Sequence, residues 1–89
     1  MLLLIIYAMP GSAIQFQIVK VIDSQLELVE LMNSWADTFT DTLDSLLDEY
    51  MVDEIVVQGP PSFTERFIKI IHQNYPNIDN NSDRVLHNK

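Results

Sequence analysis

Apolar and acidic residues between Ser24 and Tyr50 fall on opposite sides of a helical projection. Leucines, aromatics and a methionine recur every three or four residues from Leu28 onward, which is the periodicity of an amphipathic helix. The spacing of Ser24 and Glu27 is that of a capping box, in which two side chains satisfy free amides at a helix start. The pattern therefore predicts one long helix, or two in phase, around which the rest of the chain is organised.

A second interpretation of the same stretch stays open. Residues 25–28 alternate apolar and polar as in a strand, and Asn33 and Ser34 could cap a shorter helix that begins at Trp35. The unbroken phase from Leu28 through Trp35 to Phe39 favours the helix, which is the interpretation we carry forward. The sequence does not decide whether residues 25–33 are helix or strand.

The remaining segments predict a small sheet and a second helix. Residues 2–8 are a continuous apolar run and residues 14–18 alternate, so the two are expected to form a β-hairpin. After Ile18 the alternation slips, which indicates either a bulge or a change of neighbour. Residues 54–58 are a short β-branched strand that a helical crossover places parallel to a neighbour. Ser62 then caps a second helix. The prediction is an α+β, two-layer domain of order β-β-α-β-α over residues 1–78, followed by a polar tail over 79–89.

If residues 26–32 are a strand, the order becomes β-β-β-α-β-α, which resembles the first part of the ribonuclease H-like fold. The resemblance is one of topology. The acidic residues that this fold uses for metal catalysis belong on its first strand, and residues 2–8 contain none. The activity of that family is therefore not carried over to this chain.

The charge balance limits the partners that the chain can bind. Thirteen acidic residues against five lysines and arginines give a net charge of −8. Such a chain repels nucleic acid and anionic membrane surfaces, so we expect a basic protein surface as partner, with no direct nucleic-acid or membrane binding. No segment has the length of a membrane span and the apolar N-terminus lacks a basic leader, so we expect a cytoplasmic protein.

The predicted helix gathers much of this charge on its outer face. Between Lys20 and Arg66 there are acids but no lysine or arginine, so local ion pairs cannot offset them. The predicted partner-binding residues are Glu30, Asp37, Asp41, Asp44 and Asp48. We expect a small interaction protein that presents this acidic face, in its narrower form a phage-type inhibitor or nucleic-acid mimic working in the host cytoplasm. The competing interpretation is that the acidity only keeps the domain soluble.

The sequence carries no motif that predicts an enzyme, a cofactor or a metal site. Acids along a straight helix point outward and cannot wrap around one cation, and no EF-hand loop is present. His72 and His87 have no evident partners and are expected to be surface residues. The strand-to-helix loop at Gly59, Ser62 and Phe63 is the candidate anion site, although two prolines remove amide donors there.

An alternative function is that of a homodimeric or assembly module. The first strand is apolar on both sides, and a sheet of three strands leaves part of it uncovered unless another layer or another copy lies against it. Leu4 and Ile6 are the predicted dimer contacts.

Overall fold

The computed structural model describes residues 1–80. Along the chain it has three strands, a 3₁₀ turn, a helix, a strand, a second helix and a last strand of two residues. These elements are β1 Leu2–Tyr7, β2 Ile14–Ile22, β3 Gln25–Ser34, the 3₁₀ turn Ala36–Thr38, α1 Phe39–Glu49, β4 Glu54–Gln58, α2 Pro61–Asn74 and β5 Asp79–Asn80. Of the predicted tail, residues 81–89 and with them His87 lie outside the described residues.

The strands form one mixed sheet in the order β3-β2-β1-β4-β5. The hairpin of β1 and β2 is antiparallel and β4 runs parallel to β1, as predicted. The α+β class is confirmed, but the predicted order is wrong in one element. Up to α2 the observed order is β-β-β-α-β-α, which is the alternative order, and the two-residue β5 follows it. No helix within residues 1–80 is long and apolar enough to cross a lipid bilayer.

The predicted long helix is wrong over residues 24–34, which form a tight turn and β3. Asp23 and Ser24 have φ angles of 50° and 66°, and the strands on either side pair from Ile22 to Gln25. Two successive positive φ values are the geometry of a two-residue hairpin turn, so Ser24 is a turn residue and not a helix cap. The register of β2 against β3 shifts between Ile18 and Val19, where the alternation slips in the sequence, but the extra residue is Val29 of β3, and β2 pairs with β1 without interruption.

A cluster of three hydroxyls fixes the change from β3 to α1. The buried Ser34 oxygen lies 2.6 Å from the hydroxyl of Thr38 and accepts a hydrogen bond from that of Thr42 at 2.9 Å. The Thr38 hydroxyl also accepts from the backbone amide of Trp35. These bonds satisfy polar groups where the strand ends, so the chain can turn and begin α1 at Phe39.

Both helices pack on one face of the sheet and bury its central part. The aromatic rings of Phe16, Phe39 and Phe67 join β2, α1 and α2, with ring centroids 5.5 and 4.6 Å apart. Leu4 and Ile6 point into this core and have no exposed surface. The prediction that they form a dimer contact is therefore wrong, since alternate residues of a strand face opposite sides and these two face the helices.

Candidate functional site

The five predicted acidic residues lie on three elements and not on one helix face. Asp41, Asp44 and Asp48 are exposed on the outer side of α1, within about 60° of one another at 100° per residue. Asp37 is exposed on the 3₁₀ turn that precedes the helix. Glu30 is on β3, and its backbone pairs with Ile18 on the face that the helices cover. The predicted row of five charges along a rod is therefore wrong.

A tyrosine joins Glu30 to the end of α1. The Tyr50 hydroxyl donates a hydrogen bond to Oε1 of Glu30 at 2.7 Å. This bond, together with burial and the nearby charges of Glu30 and Glu49, raises the pKa of Tyr50 to about 12, because ionising the phenol would place a third negative charge there. The carboxylate of Glu30 is thereby engaged within the molecule.

A second tyrosine joins α1 to the end of α2. The Tyr75 hydroxyl donates a hydrogen bond to Oδ1 of Asp44. Burial, followed by this bond and by the charges of Asp44 and Asp48, raises the pKa of Tyr75 to about 12. Of the three outward acids of α1, Asp44 therefore has a structural partner. Asp41 and Asp48 lie beside it on the same exposed surface.

Two of the positive side chains within residues 1–80 have partners on α2 itself. Lys69 pairs with Glu65 on α2 at 3.6 Å, and both side chains are about 70% exposed. The Arg66 guanidinium lies over the rings of Phe63 and Phe67, 5.0 and 4.8 Å from their centroids. Within residues 1–80 no acid of α1 forms an ion pair. The negative charge there is uncompensated, and we name Asp37, Asp41, Asp44 and Asp48 the acidic surface.

The acidic surface is not arranged as a metal site. Over residues 1–80 no three histidine, aspartate or glutamate side chains are grouped so that they could hold a metal ion. The carboxylates project from a convex helix, whereas Ca²⁺ and Mg²⁺ need oxygen ligands that converge on one point. This geometry suits contact with an extended basic surface better than chelation.

The predicted anion loop has a structural explanation. Gly59 has φ +143°, and a Cβ at this position would overlap the carbonyl oxygen of Ala8. Glycine is therefore needed for the close approach of β4 to β1. The helix begins at Pro61 with Pro60 as its cap, so Ser62 lies inside the first turn and does not cap it. The Phe63 amide donates to the carbonyl of Pro60, which leaves fewer donors for an anion.

The structure also forms a shallow cleft that sequence reasoning missed. It has a volume of about 280 Å³ and lies between the β1–β2 loop, the beginning of the 3₁₀ turn and the first half of α2. Trp35 lines this cleft and is 61% exposed, although it shares the helical phase of the apolar residues Leu28 and Phe39 in the sequence. Arg66 lines the other side. The cleft brings together residues that are far apart in the sequence, so no local motif signals it.

The face of the sheet opposite the helices is largely apolar, and no helix or strand within residues 1–80 lies over it, while Val19 at its centre is 4% exposed. Residues that pair across strands share a face, and the register places the leucines of β3 beside Val19, Leu3 and Val56 in neighbouring strands. Leu26, Leu28 and Leu31 are 67%, 56% and 47% exposed. We name this surface the open face. Its apolar members are Leu3, Ile5, Tyr7, Val19, Val21, Leu26, Leu28, Leu31 and Val56.

The chain was compared with known proteins by two routes. A scan against models of protein families finds no match, and a search of curated proteins finds no similar sequence. The features of the molecule that bear on its function are the acidic surface and the open face.

Proposed function

We propose that this protein is a non-enzymatic interaction module whose acidic surface binds a basic surface on another protein. The observation that carries the proposal is the outward side of α1, where Asp41, Asp44 and Asp48 have no ion pair within residues 1–80. Charge of one sign steers a partner of the opposite sign and fixes its orientation. We place this function in the cytoplasm, which would be that of the host if a phage encodes the protein.

The distribution of the acids bears on the narrower proposal of nucleic-acid mimicry. From Asp41 to Asp48 the helix rises only about 11 Å, and these three charges are the only ones in the row. Duplex DNA carries one charge per about 1.7 Å, so α1 alone is a sparse imitation. A basic protein patch is the partner that the acidic surface fits best, and mimicry of nucleic acid is the narrower form of the proposal.

Asp37, Asp41 and Asp48 are the residues to change in a test. None of these three side chains accepts a tyrosine hydrogen bond, so their replacement by Asn removes charge and leaves the bonds to Glu30 and Asp44 in place. The immobilised wild-type chain is expected to retain basic proteins from a cell extract at low salt and to release them near 0.5 M, where the Debye length falls below about 5 Å. The triple variant is expected to retain much less of the same proteins at low salt.

The control removes the same number of charges elsewhere on the surface. Asp23→Asn, Glu27→Gln and Glu65→Gln change the net charge equally, but these residues lie on the β2–β3 hairpin and on α2. If this control loses the retained proteins as fully as the first variant, binding follows net charge and not the acidic surface. Retention that survives both variants and high salt contradicts the proposal altogether.

A second candidate function is that of a homodimeric structural module. The exposed leucines of the open face favour it, because monomeric proteins rarely expose a contiguous apolar patch larger than a few hundred Å². This module and the acidic surface use opposite sides of the molecule, so one protein can have both functions.

A further inference from the structure

The open face is contiguous because a bulge in β3 brings its leucines to the same side. Leu28 and Leu31 are three residues apart, and in a regular strand they would face opposite sides. The register shift opposite Ile18 and Val19 absorbs Val29, so that Leu28 pairs with Val19 and Leu31 pairs with Gln17. Both partners in β2 lie on the open face.

The charges on the two sides of the sheet differ sharply. On β3 the open face receives Leu26, Leu28 and Leu31, whereas Glu27 and Glu30 pair with Lys20 and Ile18 on the helix side. The polar residues of the open face are mainly uncharged. They are Gln15, Gln17, Asn33 and Gln58 at one end and Glu54 at the other. A second chain of net charge −8 can approach this side without meeting a cluster of carboxylates.

The size of the open face fits a dimer contact. Four strands about 4.8 Å apart, two of them about 30 Å long and two about 18 Å, cover roughly 450 Å² in projection. The accessible area of a pleated surface with side chains exceeds its projection. A specific interface buries at least about 500 Å² on each partner, so the open face is large enough.

We propose that the open face binds the open face of a second copy of this chain. This inference rests on the second candidate function and names its surface. The two sheets pack about 10 Å apart around a two-fold axis, as in a β-sandwich, and bury the leucines of β3 against the partner copy. The helices then lie on the two outer sides, and the dimer presents two acidic surfaces that point away from each other.

A rival arrangement would pair the free edges of two β3 strands. In an antiparallel pair across a two-fold axis near Leu28 and Val29, Glu27 of one copy would lie close to Glu30 of the other. Like charges opposite each other destabilise strand pairing. Edge pairing would also leave the leucine side chains of both copies exposed. The face-to-face arrangement covers them.

The test measures the mass of the full chain in solution by sedimentation equilibrium over a range of concentrations. The wild-type chain is expected to be dimeric at micromolar concentration. Leu28→Gln with Leu31→Gln is expected to weaken dimerisation at least about 100-fold, because the dimer loses the burial of four leucine side chains. Both side chains are about half exposed in the single chain and do not belong to its core.

A second variant tells face packing from edge pairing. Tyr7→Asp lies on the open face but on β1, two strands away from the edge, and it is expected to weaken the dimer at least about 10-fold. Edge pairing would be unaffected by this change. The variant also keeps the inference testable if the double leucine variant fails to fold.

The matched control is Met51→Gln. Met51 is apolar and 90% exposed, but it lies in the loop between α1 and β4 and outside the open face, so the dimer is expected to persist. A monomeric wild-type chain at about 0.1 mM, including one that forms a complex only with a different protein through this face, would overturn the inference. A dimer that ignores Tyr7→Asp would overturn it as well.

Dimerisation through the open face and partner binding by the acidic surface can be tested independently of each other. The triple variant Asp37→Asn, Asp41→Asn and Asp48→Asn is expected to remain a dimer. The double leucine variant is expected to keep some partner binding as a monomer. A wild-type chain that is monomeric but still binds its basic partner refutes the dimer alone. A wild-type dimer whose partner binding is unchanged by the three Asn substitutions refutes the acidic surface alone.

Discussion

The two faces of the sheet are formed by the same strands and carry similar apolar residues, yet these residues differ in how far they are exposed. On the covered face Leu4 and Ile55 have no exposed surface and pack under α1 and α2. On the open face Leu26 is 67% exposed. The apolar character of a strand position therefore does not reveal its contribution to the stability of the single chain. That contribution depends on the layer that lies above it.

The largest expected effect is on the covered face. Leu43 on α1 is fully buried against the sheet, and Leu43→Ala removes its contacts and leaves a cavity. The free energy of unfolding is expected to fall by about 2–5 kcal/mol. Urea denaturation followed by circular dichroism measures it. A loss below about 1 kcal/mol would show that α1 does not form part of the core.

A smaller loss of stability is expected from a substitution at Gly59, where β4 leaves the sheet. Gly59→Ala places a methyl group against the backbone of Ala8 at a φ that other residues rarely adopt, and we expect a loss of about 2–3 kcal/mol.

The control for Gly59 is Gly11→Ala. Gly11 also has a positive φ, +77°, but a Cβ there meets nothing within 4 Å. Its substitution is expected to cost about 1 kcal/mol from conformational strain alone. Equal losses of stability in the two variants would show that contact with Ala8 is unimportant.

The tyrosine bonds of α1 predict a loss of stability at high pH. The folded pKa values of Tyr50 and Tyr75 are raised to about 12 from 10, so their contribution is fully present below pH 10 and is lost as the pH rises through about 12. Tyr75→Phe is expected to cost about 1 kcal/mol at neutral pH. The Tyr50→Phe and Tyr75→Phe double variant is expected to flatten the pH profile of unfolding between pH 9 and about 12. An unchanged slope would contradict these bonds.

The smallest effect is expected on the open face of the single chain. Leu28→Ala is chemically the same change as Leu43→Ala, but Leu28 is 56% exposed. At a concentration low enough to keep the chain monomeric, the free energy of unfolding is expected to change by about 0.5 kcal/mol or less. A loss comparable with that of Leu43→Ala would mean that another part of the chain already covers this face.

The class of the fold and three of the strands could be predicted because their patterns are local. The error over residues 24–34 has two physical causes. The hairpin turn uses Asp23 and Ser24 in place of the Asn-Gly or Asp-Gly pair that usually signals such a turn. Val29, the extra residue of the bulge, interrupts an otherwise regular alternation, so that apolar residues from Leu28 onward fall at helical spacing.

The candidate surfaces were predictable only in part. The outward acids of α1 follow from helical periodicity, and their exposure confirms that portion of the pattern. The bonds from Tyr50 to Glu30 and from Tyr75 to Asp44 join residues 20 and 31 positions apart, and no local signal predicts them. Leu4 and Ile6 were assigned to the wrong side because an apolar run does not show which alternate residues the helices cover.

Negative charge is concentrated on one of the two sides of the molecule. Within residues 1–80 one side carries the carboxylates of α1, and the open face on the other side carries only Glu54, at its margin. On a positively charged support such a molecule adsorbs in one orientation, with its helices toward the support and its open face toward the solvent. The way in which the chain is immobilised therefore decides which side of the molecule is accessible to a partner in a binding experiment.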